Sequence, residues 1–376
     1  MTRPDPVTAE AEAPTSASIP MPVPALPVQD RLRINNFDGL RLIFASMVVL
    51  FHVGLLSQAA ELRFFYQYIS STFAVQAFFV VSGFLVTMSF ENTRSLLDYA
   101  KKRFFRIAPA YVTVILIAAS GLVFLSKLDP QQYFTSAEWR SYVGSNLMLS
   151  NFKQPTLPGV FDYNYEPAVN GSLWTIKLEV MFYCAVPFVV WAVRRFGYKP
   201  VLAGLFVFSV AWHAGFLYFS PLHDSDLSAR LAKQLPGQLA FFGGGAFAYY
   251  RTRDGLPPPS VALAALGALT YALADGPIYT LLAPICVTLI VYWAAIRMPQ
   301  VWSAQRWGDF SYGLYLYHFP IAQVLIALGV FAIAPGLGMI AVCVLALIAS
   351  ITSWHLVEKR ALKLAHRRKN APALRS

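Results

Sequence analysis

Apolar residues run along this chain in blocks of nearly twenty, separated by short segments that hold most of the charge. Blocks of that length suit a helix crossing a hydrocarbon core, which needs about 20 residues. They fall at 39–58, 69–90, 108–126, 171–193, 199–219, 232–250, 259–275, 277–296, 309–332 and 335–356. In lipid the backbone has no water to bond, so apolar blocks of this kind are read as helices. The pattern predicts an all-α polytopic membrane protein, a single bundle of about ten transmembrane helices. The seventh block, short and rich in Ala, is the weakest of them, and no internal repeat is visible.

Residues 1–30, rich in Pro, Ala, Thr and Glu, lack an apolar core and read as a disordered tail rather than a signal peptide. The bundle is expected over 31–362 and a basic tail over 363–376. Basic residues collect at 31–33, 94–106, 194–199, 251–253, 297–306 and 359–369, every second connection plus the ends. The other loops hold only Arg63, Lys127, Arg140, Lys153, Arg230 and Lys233. Positive charge marks the cytoplasmic side, so both termini are expected there, with the long loop at 127–170 outside.

Composition agrees: 57% of the 376 residues are hydrophobic and 13% charged, against roughly 25% charged in soluble domains. The net charge of +11 is explained by membrane anchoring. No basic-aromatic recognition module argues for nucleic acid. Cys184, Cys286 and Cys343 sit inside apolar blocks with no metal-ligand spacing, so neither a disulfide nor a metal site is expected.

Ionisable residues within the blocks carry the candidate chemistry, because burying them in a bilayer is costly. His52 lies in the first block, Lys177 and Glu179 in the fourth and His318 in the ninth, with Arg41 near the start of the first. Arg41 and His52 are eleven residues apart, so they share a helix face about 16 Å apart along the axis. His52, Glu179 and His318 all fall near mid-depth. A neutral imidazole can take a proton from a hydroxyl, and a carboxylate can orient it. Each also has a structural reading: a histidine bonding a neighbouring helix, a helix shaped by Pro320, or Glu179 neutralising Lys177. Arg103 and Arg106, three apart in KKRFFRIAP, share a face suited to phosphate oxygens; ordinary cytoplasmic anchoring explains the same charges. Ser82-Gly83-Phe84 reads as a small break in the second helix or a packing motif, and Gly243, Gly244 and Gly245 as a close helix approach or a bend.

In this order, the stretches FDGLRLIFASMVVLFH (37–52), FFVVSGFLV (78–86), KKRFFRIAP (101–109), NGSLWTIKLEVMFY (170–183) and FSYGLYLYHFP (310–320) resemble the acyltransferase-3 family of membrane O-acyltransferases. HLVEKR (355–360) fits more loosely. The resemblance implies a stand-alone enzyme of the bacterial inner membrane. The implied co-substrate is acyl-coenzyme A, usually acetyl-coenzyme A, with no permanently bound cofactor. The acceptor would be a hydroxyl of a cell-surface or lipid-linked saccharide. The resemblance implies that His52 is essential, with Glu179 and His318 in the catalytic set, and that Arg41, Arg103, Arg106 and Ser82 belong to donor binding. Membrane lipid and polysaccharide-assembly proteins are the further partners it suggests. Two departures stand out: Gln76 occupies a place where an acidic residue is common, and no SGNH domain follows the basic tail, so action alone or with a separate partner is expected. Residues at mid-membrane also suit a transporter of saccharides or acyl compounds, and a structural subunit of an export assembly is a third reading.

Overall fold

The computed structural model describes residues 35–221, 225–300 and 303–367, and among these there is no strand. Each of the ten apolar blocks holds a helix: α1 Phe37–Ser57, α2 Ser71–Glu91, α3 Leu96–Gly121, α4 Trp174–Phe196, α5 Tyr198–Ala214, α6 Leu235–Arg253, α7 Val261–Leu273, α8 Gly276–Arg297, α9 Ser311–Ala327 and α10 Pro335–Ser353. Seven, α1 to α5, α8 and α10 with their extending turns, are long and apolar enough to cross a membrane. The other three differ for physical reasons. At 13 residues α7 reaches only about 20 Å. Helices α6 and α9 are buried along most of their length, so they can carry Gln238, Tyr249, Tyr312 and His318 where a lipid-facing helix would need apolar side chains. The expected tail over 1–30 lies outside the described residues. Of the expected basic tail only 363–367 is described, as the end of a helix, Lys359–Arg367.

Helix α3 begins twelve residues before the apolar block that predicts it. Ser95 caps it by accepting the Asp98 N–H at 3.1 Å, and Lys101 to Arg106 form its first turns instead of a loop. Helix α2 runs unbroken through Gly83, so the break expected at 82–84 is absent and the packing reading holds. A Cβ on Gly83 would overlap the Phe242 carbonyl oxygen, and one on Gly245 the Val80 carbonyl oxygen. The two helices therefore meet backbone to backbone, as small residues permit in membranes.

Two prolines inside helices leave carbonyls without an intrahelical donor, and each gap is filled from outside. Pro187 frees the Tyr183 carbonyl, which accepts the Tyr99 hydroxyl at 2.9 Å. Pro320 frees the Leu316 carbonyl, which accepts the Asn170 amide at 2.9 Å. At the far end of α3 the Ala119 carbonyl, in the last turn, takes both Tyr133 at 3.0 Å and Trp139 at 2.9 Å. The long loop is thereby fastened to the bundle by its short helices Pro130–Thr135 and Ala137–Leu147.

Candidate functional site

Two contacts set α1 against α9. Arg41 donates to Asp309, just before α9, at 2.5 Å, and about three turns further along the same face of α1 His52 Nδ1 lies 2.9 Å from His318 Nε2. Residue numbers rise together along the pair, so the two helices run parallel. The imidazole planes are 7° apart, with centroids at 5.2 Å. His318 is fully buried and its Nδ1 lies 3.2 Å from the Leu314 carbonyl. A carbonyl only accepts, so His318 Nδ1 carries the hydrogen. In the neutral ring Nε2 then holds a lone pair, and His52 donates to it from Nδ1. The remaining lone pair, on His52 Nε2, is the one available base of the two rings.

Below this pair lies a charged cluster. Asp309 Oδ2 receives Arg41 and Arg106, each at 2.5 Å, and Ser311 donates to Oδ1 at 2.7 Å. Arg106 also meets Glu358 at 3.6 Å and lies over the Tyr312 ring. Burial alone would raise the Asp309 carboxyl, but the Arg106 and Arg41 guanidiniums outweigh it and hold it well below the usual carboxylate range. One carboxylate thus ties together α1, α3 and the approach to α9, with Glu358 adding the wide turn that follows α10. The eleven-residue spacing placed Arg41 and His52 on one face; it gave no sign of Asp309, which the sequence reading passed over. The available signal was an acidic residue nine before His318, at the end of the bundle where unmatched arginines gather.

Arg103 and Arg106 do share a face, but their partners differ. Arg106 is matched by two carboxylates. Among the described residues Arg103 has only Ser89 at 3.0 Å and the rings of Tyr183 and Tyr99, at 5.3 and 5.9 Å. Its Nε is buried without a hydrogen-bond partner. Of the two, Arg103 is the guanidinium left with unused donors.

A cavity of about 60 Å³ opens between these groups, lined by Arg41, Ser82, Glu179, Ser311, Tyr312 and Tyr315 among others. Glu179 accepts the Tyr183 hydroxyl at 2.5 Å, while Lys177 turns away to Gln234 at 3.4 Å and the Phe152 ring. Glu179 is therefore not neutralised by Lys177: positions two apart on a helix do not face each other. Nor does it orient His52, whose partner is His318. Tyr315 links the cavity to the imidazoles. Its ring centroid is 5.9 Å from that of His318, and its hydroxyl is held by Thr175 at 2.7 Å and the Ser172 carbonyl. Gln76 stands in a closed triangle with Tyr271 and Tyr279, donating to one hydroxyl at 3.0 Å and accepting the other at 2.9 Å. A carboxylate there could not donate. In the long loop Tyr142 is buried and Trp139 bonds α3, so both are packing residues; Tyr165 is exposed at 62%, and Tyr163, exposed at 90%, carries the Lys127 ammonium over its ring at 3.8 Å. Among the described residues no group of three or more His, Cys, Asp or Glu could hold a metal ion.

Residues 34–355 match the acyltransferase domain of the acyltransferase-3 family. The chain is similar to an O-acetyl transferase of Shigella phage Sf6, 30% identical over 340 residues that cover 87% of this chain and 96% of the relative. It is 27% identical to nodulation protein 10 of Rhizobium leguminosarum bv. viciae, over 88% of this chain and 94% of that one. Over 47% of its length it is 25% identical to the O-acetyltransferase OatA of Staphylococcus aureus, covering 28% of that protein. No solved structure matches.

Proposed function

This chain belongs to the acyltransferase-3 family of membrane acyltransferases, and we propose that it moves an acetyl group from acetyl-coenzyme A in the cytoplasm to a hydroxyl of a saccharide. The observation that carries the reading is the His52–His318 pair, which leaves one imidazole lone pair between two parallel helices. The enzyme is an O-acetyltransferase. The relatives described as O-acetyl transferases support acetyl as the group moved.

The distribution of basic segments supports a cytoplasmic location, in the bacterial inner membrane, for the Arg41, Arg103 and Asp309 end of the bundle, the side on which coenzyme A is found. Donor phosphates meet Arg103 there, through guanidinium donors that no carboxylate occupies. Arg41 and Ser82 line the cavity through which the thioester reaches inward. Arg106, matched by Asp309 and Glu358, fixes the registration of the helices rather than the donor. His52 Nε2 takes the proton of the acceptor hydroxyl as its oxygen attacks the thioester carbonyl. The C–S bond breaks as the new C–O ester bond forms, and the proton passes from the imidazolium to the departing coenzyme A sulfur. His318 holds His52 in the tautomer that presents Nε2, and Tyr315 and Glu179 bound the space between.

The deciding experiment supplies purified protein in detergent with labelled acetyl-coenzyme A and a panel of bacterial surface glycans. Label appearing on a glycan, and lost in His52→Ala, supports the reading. No transfer to any glycan, with uptake of saccharide or donor by protein-containing vesicles, would replace it with transport.

A further inference from the structure

On the side of α9 away from His52, helices α3, α9 and α10 leave an apolar cleft of about 770 Å³. Its walls include Ala118, Gly121, Pro320, Val324, Ala349 and Leu356. From Leu345 to Val357 it follows α10 and the wide turn after it for about 18 Å, at 1.5 Å per residue. One leaflet of a hydrocarbon core is about 15 Å deep. At the lower end of the cleft, the end shared with Arg106 and Glu358, the chain passes directly into the helix Lys359–Arg367. Arg360 and Lys363 stand four and seven positions after Leu356 and continue its face. Both are exposed, as is Lys359, and none of the three has an ion-pair partner among the described residues.

We propose that this cleft and the basic helix below it form a binding site for an anionic phospholipid of the cytoplasmic leaflet. One acyl chain lies along α10 in the cleft, and the headgroup phosphate rests on Arg360 and Lys363. The combination fits an anionic amphiphile and not a neutral one: the apolar trough is as deep as a leaflet, and unmatched cations stand only at its lower mouth. The site does not rest on the acyltransfer reading. It touches that machinery at one point, because Ser353, which lines the cleft, donates to Glu358 at 3.1 Å, and Glu358 meets Arg106.

The test is native mass spectrometry of the full chain in detergent, titrated with phosphatidylglycerol and, separately, with phosphatidylcholine. Phosphatidylglycerol is expected to be retained preferentially. Removing two surface cations, Arg360→Ala with Lys363→Ala, is expected to weaken it roughly thirtyfold. Ala349→Phe, which fills the trough, is expected to exclude it. Gly121→Leu serves the same end at a position where an added Cβ meets nothing within 4 Å. Equal retention of the two lipids, or indifference to the charge variant, would mean a bulk lipid shell and overturn the proposal. Retention of phosphatidylglycerol in both trough-filling variants would equally overturn it.

Discussion

His318 presents Nε2 to His52, not Nδ1, because its Nδ1 is spent on the Leu314 carbonyl one turn back on the same helix. A backbone carbonyl therefore fixes the tautomer of a histidine on another helix. If that chain of donors matters to proton transfer, the two histidines act as a unit. His52→Ala is expected to lower kcat by 10²- to 10⁴-fold, the usual worth of a positioned base. His318→Ala should fall in the same direction but less, and His318→Gln, whose Oε1 can still accept from His52, should recover part of the loss. The double variant should be little worse than His52→Ala alone. Additive losses would mean that the histidines act separately.

Asp309 carries two guanidiniums on one oxygen, with its side chain only 12% exposed. Asp309→Asn leaves Arg41 and Arg106 short of a countercharge and should destabilise by about 3 kcal/mol or more. The pH dependence follows in sign. The folded carboxyl is held below its unfolded value, so its contribution is complete above the unfolded pKa of roughly 3.9. It is lost only as pH falls through the lower folded value. Thermal melts of the wild type should therefore show no loss from this group between pH 5 and 8, while the Asn variant melts lower throughout. A variant that melts like the wild type at pH 7 would remove the cluster from any role in registration.

Arg103 and Arg106 are neighbours on a face but are expected to fail differently. Arg103→Lys loses the planar fork and the contacts over Tyr183 and Tyr99. It should raise KM for the acyl-coenzyme A several-fold with kcat nearly kept. Arg106→Lys cannot span Asp309 and Glu358 together and should lower the melting temperature while leaving KM alone. Kinetics and melts on the same two preparations separate the roles, and an unchanged donor KM in Arg103→Lys would take the phosphates elsewhere.

How much of this was legible from sequence depends on range. Apolar block length is a local signal, and it located ten helices. Spacing along one helix placed Arg41 with His52 and Arg103 with Arg106, because a single helix fixes both. What joins residues 266 and 268 apart, His52 to His318 and Arg41 to Asp309, depends on which helices pack, and nothing in the local pattern encodes that. Glu179 shows the cost. Its place in the fourth block grouped it with the histidines, yet its direction on α4 takes it to Tyr183 and to the cavity lined by Arg41 and Tyr312. The start of α3 was set twelve residues late, at the apolar block, because the Ser95 cap that begins the helix in front of Lys101 to Arg106 was not weighed.

The last expectation concerns Pro320, which stands two residues after His318. Proline removes the donor that would close the turn onto Leu316, and Asn170, at the end of the long loop, supplies a replacement at 2.9 Å. Asn170 in turn is braced by Ser172, whose hydroxyl donates to its Oδ1 at 2.6 Å. The loop is thus stitched to α9 at the turn that carries His318, and the stitch compensates a defect made by the proline. Compensation of this kind has a signature in a double-mutant cycle. In the wild-type background Asn170→Ala leaves the buried Leu316 carbonyl without a donor and should cost on the order of 1 to 3 kcal/mol. In Pro320→Ala the helix can make its own bond, so the same Asn170→Ala change should cost clearly less. Equal costs in the two backgrounds, measured by melts of all four proteins in one detergent, would mean that Asn170 holds the loop for reasons unconnected with the proline.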